Sequence, residues 1–122
     1  MKIISSEVHA ALDYLTVAIF ALAPTVIGLT GTSAIISYVL AVVHLSMTLM
    51  TDMPFSIAKV VPIKLHAFVE LLVGLVLVIG GLLLELPTPA RTFFVAMGGI
   101  IFAVWLLSSY SHSTGQAEAK PA

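Results

Sequence analysis

Four long runs of apolar residues dominate the chain, and short segments rich in glycine, proline or polar residues separate them. The runs cover residues 8–29, 33–51, 63–84 and 91–109. A helix of about 20 apolar residues is long enough to cross the hydrocarbon core of a bilayer, so each run predicts one membrane-spanning helix. Gly28 and Pro87 each belong to a cluster of turn residues at a break between runs. We therefore expect an all-α membrane protein with four transmembrane helices.

The segment between the second and third runs has its own pattern. Asp52 is placed to cap a short helix, and Pro54 suits that helix's first turn. Phe55, Ile57 and Val60 would give it an apolar side. The pattern predicts a short interfacial helix between helices 2 and 3, lying along the membrane surface.

Composition places the chain in the membrane class. Hydrophobic residues make up 60% of the 122 residues, charged residues 9%, and the mean hydropathy is +1.15. Soluble domains contain about 25% charged residues, far more than this chain. The lipid bilayer is therefore the expected partner of the protein. Residues 1–110 are predicted to form one domain. The tail, residues 111–122, has no apolar periodicity and is predicted to be disordered.

The basic residues predict an orientation. Lys2, Lys59, Lys64 and Lys120 fall on the side of the N-terminus, whereas Arg91 falls on the other side. Because loops rich in lysine and arginine stay in the cytoplasm, both termini and the tail are expected to be cytoplasmic.

Two similar polar pairs indicate an internal duplication. His9 and Asp13 are four residues apart, as are His66 and Glu70, and the pairs are offset by 57 residues. Members of such a pair share one face of a helix. The pattern predicts two parallel two-helix repeats, the first over residues 1–52 and the second over residues 58–110.

The predicted topology brings the polar residues of the helices to the cytoplasmic half. Ionisable groups within a bilayer usually face the interior of the helix bundle or a water-filled cavity. Tyr110 is expected to lie in the same half. The expected polar cluster consists of His9, Asp13, Tyr14, His44, Thr48, Asp52, His66 and Glu70.

One interpretation of this cluster is structural. His9 would bond Asp13 or Glu70, and Glu70 would bond His44 or a hydroxyl such as that of Thr48. Such contacts between helices fix the register of otherwise apolar faces.

The other interpretations are chemical. His9, Asp13, His44, His66 and Glu70 provide a donor set suitable for zinc, iron or manganese. The three imidazoles also suit the axial positions of a haem. A proton or ion pathway is the third alternative, although the opposite half of the chain has too few polar residues for a complete path through a monomer.

The chain also resembles a known family over about its first 85 residues. The matching patterns are Val8-His9-x-x-Leu12-Asp13-Tyr14, Ala23-Pro24-x-x-x-Gly28, Leu49-x-Thr51-Asp52 and Val61-Pro62-x-x-Leu65-His66. Together they resemble the SPW-repeat family of small bacterial membrane proteins, although the namesake Ser-Pro-Trp reads Ala23-Pro24-Thr25 here. The resemblance implies duplicated two-helix units in a bacterial cytoplasmic membrane, and it implies no particular activity.

The sequence contains no nucleophile elbow, phosphate-binding loop or basic patch for nucleic acid. We therefore expect a non-enzymatic membrane protein that acts by packing, by forming a homo-oligomer or by binding a membrane protein partner. The alternative is a metal- or haem-binding redox protein, or part of a proton or ion pathway.

Overall fold

The computed structural model describes residues 3–108 and 110, and it contains four helices. They are α1 (Ser6–Val26), α2 (Gly31–Met50), α3 (Ile63–Leu83) and α4 (Thr88–Leu107). Each is 20 or 21 residues long and apolar enough to cross a membrane. No strand forms within the described residues, so the prediction of an all-helical protein with four helices of membrane-spanning length is confirmed. The tail, residues 111–122, lies outside the described residues.

The start of α4 differs from the prediction by three residues, as does the end of α1. Helix α4 begins at Thr88 instead of residue 91, with Pro89 in its first turn. Proline is accommodated there because the first N–H groups of a helix have no partner within the helix. The proline residues therefore start α4 as well as ending the connection before it.

A second proline lies inside α1, where a residue of α2 compensates for it. Pro24 has no N–H, so the carbonyl of Phe20, four residues earlier, receives no hydrogen bond from it. The buried Ser37 hydroxyl of α2 donates to this carbonyl at 2.6 Å. The bond satisfies a buried acceptor and joins α1 to α2.

The connection between α2 and α3 corrects the prediction of a short helix. Residues 51–62 form turns, and Phe55 adopts a positive φ of 67°. The N–H groups of Ile57 and Ala58 bond the carbonyl of Leu49, while those of Val60 and Val61 bond that of Met50. Because these N–H groups satisfy the last carbonyls of α2, they do not form a helix of their own.

One end of the bundle, here called the polar end, contains the start of α1, the end of α2, the start of α3 and the end of α4. The Ile4 N–H bonds the carbonyl of Leu107 at 3.0 Å, and the Asp52 N–H bonds that of Val61 at 2.9 Å. The helices therefore form two antiparallel hairpins, α1–α2 and α3–α4.

Glycines allow the close packing of the second hairpin. A Cβ atom added to Gly98 would lie 2.8 Å from the backbone carbonyl of Gly74 and from the backbone N of Val78. Such distances are too short for a side chain, so α3 and α4 approach each other at this point. An apolar core built around Phe20, Leu77 and Phe94 fills the bundle away from the polar end.

Candidate metal centre

Four buried side chains meet near the polar end, two from α1 and two from α3. They are His9, Asp13, His66 and Glu70, here called the quartet, and each is at most 4% exposed. One ligand atom from each lies within 4.8 Å of the others. The spacing of four residues places both members of each pair on the same helix face, and the two faces are opposed.

Each imidazole faces both carboxylates. His9 Nε2 lies 3.0 Å from Glu70 Oε2 and 3.4 Å from Asp13 Oδ1. His66 Nε2 lies 3.1 Å from Asp13 Oδ2 and 3.2 Å from Glu70 Oε2. The Nε2 atoms of both histidines therefore point to the centre of the quartet.

The other nitrogen of each imidazole contacts a hydroxyl at the end of a helix. His9 Nδ1 lies 2.7 Å from Ser108 Oγ, and His66 Nδ1 lies 2.8 Å from Thr51 Oγ1. Each hydroxyl donates to the carbonyl four residues earlier, and in Ser108 the two oxygens are 2.6 Å apart. Two oxygens come this close when a proton lies between them, so the hydroxyl donates its proton to the carbonyl and not to the imidazole.

The hydrogen bond from each hydroxyl to its carbonyl fixes the tautomer of both histidines. A hydroxyl whose proton points elsewhere accepts from an imidazole, so both Nδ1 atoms must carry hydrogen. The Nε2 atom of a neutral imidazole then presents a lone pair, and in the quartet both lone pairs face carboxylate oxygens. Lone pairs facing carboxylates at 3.0–3.4 Å need a cation between them, either protons on Nε2 or a metal ion.

The two carboxylates differ in their further contacts. Glu70 Oε1 accepts a hydrogen bond from the Tyr110 hydroxyl, and burial together with this carboxylate raises the pKa of Tyr110 well above its usual value. Tyr110 therefore remains a donor. Asp13 Oδ2 is buried and has no hydrogen-bond partner, because His66 Nε2 lies at 3.1 Å but outside hydrogen-bonding geometry. An unpaired buried carboxylate oxygen is costly, and a metal ion would satisfy it.

The remaining residues of the predicted cluster lie outside the quartet. His44 Nε2 is 3.7 Å from Asp13 Oδ1, which is too long for a hydrogen bond. The Thr48 hydroxyl donates to the carbonyl of His44, and the Tyr14 hydroxyl donates to a carbonyl of the α2–α3 connection. Asp52 lies in the same connection.

The sequence analysis placed Tyr110 in the same half of the molecule but not in the cluster, and it did not single out Thr51 or Ser108 for it. A signal for these two was present, because Thr51 and Ser108 are separated by the same 57 residues as His9 and His66. Tyr110 follows the last helix and carries no comparable signal.

The donor set suits a transition-metal ion. Zinc binds imidazole nitrogen and carboxylate oxygen at about 2.0–2.2 Å, so ligand atoms at tetrahedral positions lie roughly 3.3–3.6 Å apart. The distances from the histidine Nε2 atoms to Glu70 Oε2, 3.0 and 3.2 Å, and from His66 Nε2 to Asp13 Oδ2, 3.1 Å, are slightly shorter than this range. The distance from His9 Nε2 to the other Asp13 oxygen, 3.4 Å, lies within it. Haem fits less well, because carboxylates occupy the space between the two imidazoles.

Comparisons of the chain with family models, with curated proteins and with solved structures found no match.

Proposed function

We propose that this protein is an integral membrane protein that binds one divalent transition-metal ion in the quartet, with zinc as the best fit. The observation that carries the proposal is the orientation of the two histidines. Their Nδ1–H groups are held by Ser108 and Thr51, which leaves both Nε2 lone pairs directed at the same point as two carboxylates. Hydrogen-bonded outer partners of this kind orient histidine ligands in known metal sites.

Charge supports a divalent ion. Two carboxylates and two neutral imidazoles carry a charge of −2, which is costly in the low-dielectric interior of a membrane protein. A divalent cation brings the total to zero. Imidazole together with carboxylate favours zinc, iron or manganese, and the four protein ligands in a compact arrangement favour the tetrahedral preference of zinc.

The proposed ion has a structural role. Its ligands come from α1 in one hairpin and α3 in the other, so binding joins the two hairpins. Sites with four protein ligands are typical of structural zinc, since catalytic sites keep one position open. This role agrees with the expectation of a non-enzymatic protein that acts through packing or through a partner.

Elemental analysis with an absorption spectrum of detergent-purified protein tests the proposal. We expect one metal ion per wild-type chain and its loss from the His9→Ala/His66→Ala variant. Because that variant could fail to fold, Glu70→Gln provides a second test with the size of the side chain preserved. A monodisperse, helical wild type that binds no stoichiometric metal after incubation with Zn²⁺, Fe²⁺ or Mn²⁺ would overturn the proposal.

A second candidate is a quartet that holds the hairpins together with protons alone. The 3.0 Å contact between His9 and Glu70 and the bond between His66 and Thr51 both connect the hairpins, which favours this alternative. It predicts wild-type protein without metal and without a chromophore, and quartet variants that are less stable but equally metal-free.

We also propose that the chain is an internal duplication with repeats at residues 1–52 and 58–110. The support is a pair of parallel backbone bridges, Ile4 with Ser108 and Val61 with Thr51. Ile4 and Val61 are 57 residues apart, as are Thr51 and Ser108, so the two bridges correspond under the same offset as the histidines. The correspondence agrees with the resemblance to the SPW-repeat family.

We further propose that the polar end lies in the cytoplasmic half of a bacterial cytoplasmic membrane, with both termini in the cytoplasm. Lys59 and Lys64 lie at the polar end, whereas Arg91 lies at the opposite end. Cysteine-accessibility labelling of Ile57→Cys and Leu84→Cys in intact cells would test this orientation, because both positions are exposed and lie at opposite ends.

A further inference from the structure

A third histidine lies beside the quartet without belonging to it. His44, on α2, is 6% exposed, and its Nε2 atom lies 3.7 Å from Asp13 Oδ1. This is a polar contact of the His44 side chain. His44 is not among the four residues whose ligand atoms converge within 4.8 Å, so it cannot join all of them around one ion in this arrangement.

His44 lines two small cavities that also contain members of the quartet. One cavity, with about 10 Å³ of free volume, is lined by His44, Asp13, Thr16 and Glu70. This is roughly the room that one water molecule needs. A second cavity, between α2 and α3, is lined by His44, His66 and Glu70 together with apolar residues. His44 therefore borders two of the spaces that touch the quartet, while a third, narrower space beside Ser6, His9 and Tyr110 does not include it.

Asp13 connects the two positions. Its Oδ2 faces His66 within the quartet, while its Oδ1 faces both His9 and His44. A carboxylate can bind one metal ion through either oxygen, so an ion can pass from one oxygen to the other without leaving Asp13. An imidazole nitrogen at the second position is a suitable ligand for the same metals.

We propose that Asp13 and His44 form a second, transient position through which the divalent ion enters and leaves the quartet. The inference rests on the proposed metal-binding function. The route is one-sided, because the residue that lies 57 positions after His44 is Ile101, which offers no ligand atom. His44 thus sets how fast the ion exchanges, whereas the quartet sets how tightly it is held.

The test is the rate of ion exchange in purified full-length protein. Zn²⁺ is added to metal-free protein to measure uptake, and a chelator is added to loaded protein to measure release. Wild type is compared with His44→Ala and with His44→Gln, which keeps more of the packing. Leu40→Ala is the matched control, since Leu40 lines the same cavity between α2 and α3 but has no ligand atom.

We expect both His44 variants to take up and release Zn²⁺ about tenfold more slowly. This corresponds to an activation free energy of exchange that is about 1.4 kcal/mol higher. The Kd should change far less than the rates, and Leu40→Ala should exchange no more slowly than wild type. Unchanged rates in both His44 variants would overturn the inference. So would weaker binding with faster release, which would make His44 a ligand of the quartet ion. If wild type binds no Zn²⁺, the proposed function itself fails.

Discussion

Ser108 Oγ lies 2.7 Å from His9 Nδ1 although 99 residues separate them along the chain. The serine hydroxyl donates to a carbonyl of its own helix, so it accepts from the histidine and thereby directs His9 Nε2 to the centre of the quartet. One hydroxyl at the end of α4 therefore determines which nitrogen of a histidine in α1 is available to a metal ion.

Removing the accepting hydroxyls should weaken metal binding without removing a ligand. In Ser108→Ala and Thr51→Val the histidine Nδ1–H groups lose their partners, so the Nε2 tautomer is no longer fixed. Loss of such outer partners typically lowers metal affinity about 10–100-fold. The measurement is a competition titration with a chelator, and Ser33→Ala, a buried serine at the opposite end of α2, is the control. Equal affinities in all variants would contradict the assigned tautomers.

Neutralising one carboxylate should abolish the charge balance of the site. Glu70→Gln keeps the side-chain length, and its amide oxygen can still accept from Tyr110. We expect a larger loss of metal affinity than in the hydroxyl variants, because a charged ligand is replaced by a neutral amide. Glu7→Gln is the matched control, since Glu7 is exposed in the first turn of α1. A Glu70→Gln protein that retains wild-type affinity would exclude Glu70 as a ligand.

Two adjacent glycines of α4 should respond differently to alanine. A Cβ at Gly98 would lie 2.8 Å from backbone atoms of α3, whereas one at Gly99 meets nothing within 4 Å. Gly98→Ala should therefore force the helices apart and destabilise the protein by about 1–3 kcal/mol, as overpacking does. Gly99→Ala should leave stability unchanged or slightly increased. Thermal unfolding in detergent measures both, and similar melting temperatures would contradict the close contact between α3 and α4.

The hydrogen bond from Ser37 to Phe20 should matter only while Pro24 is present. Ser37→Ala leaves a buried carbonyl without a donor, which costs about 1–3 kcal/mol. Pro24→Ala restores an N–H that can bond the same carbonyl, so the double variant should recover most of the loss. Additive destabilisation in a double-mutant cycle would show that the serine does not compensate for the proline.

The four helices could be predicted from the sequence because their signal is length combined with hydrophobicity, and both are local. The α2–α3 connection could not, because Asp52 and Pro54 form a valid local signal for a helix start. What decides its structure is nonlocal: the carbonyls of Leu49 and Met50 need donors, and the connection supplies them.

The quartet was only partly visible in the sequence. The spacing within His9–Asp13 and His66–Glu70 predicted shared helix faces, but the sequence could not separate His44 from the residues that converge. The hydroxyls of Thr51 and Ser108 act through contacts between helices, and serine and threonine at helix ends are common enough to carry no signal alone. The shared offset of 57 residues was the one sequence feature that linked them to the histidines.

X-ray absorption spectroscopy at the zinc edge, on zinc-loaded wild-type protein, tests the central claim most directly. The account predicts four nitrogen or oxygen ligands at about 2.0–2.2 Å, with outer scattering from two imidazoles that disappears in His9→Ala/His66→Ala. A six-coordinate shell of oxygen atoms without imidazole scattering, or a shell that contains methionine sulfur, would contradict the assignment of the quartet as the metal site.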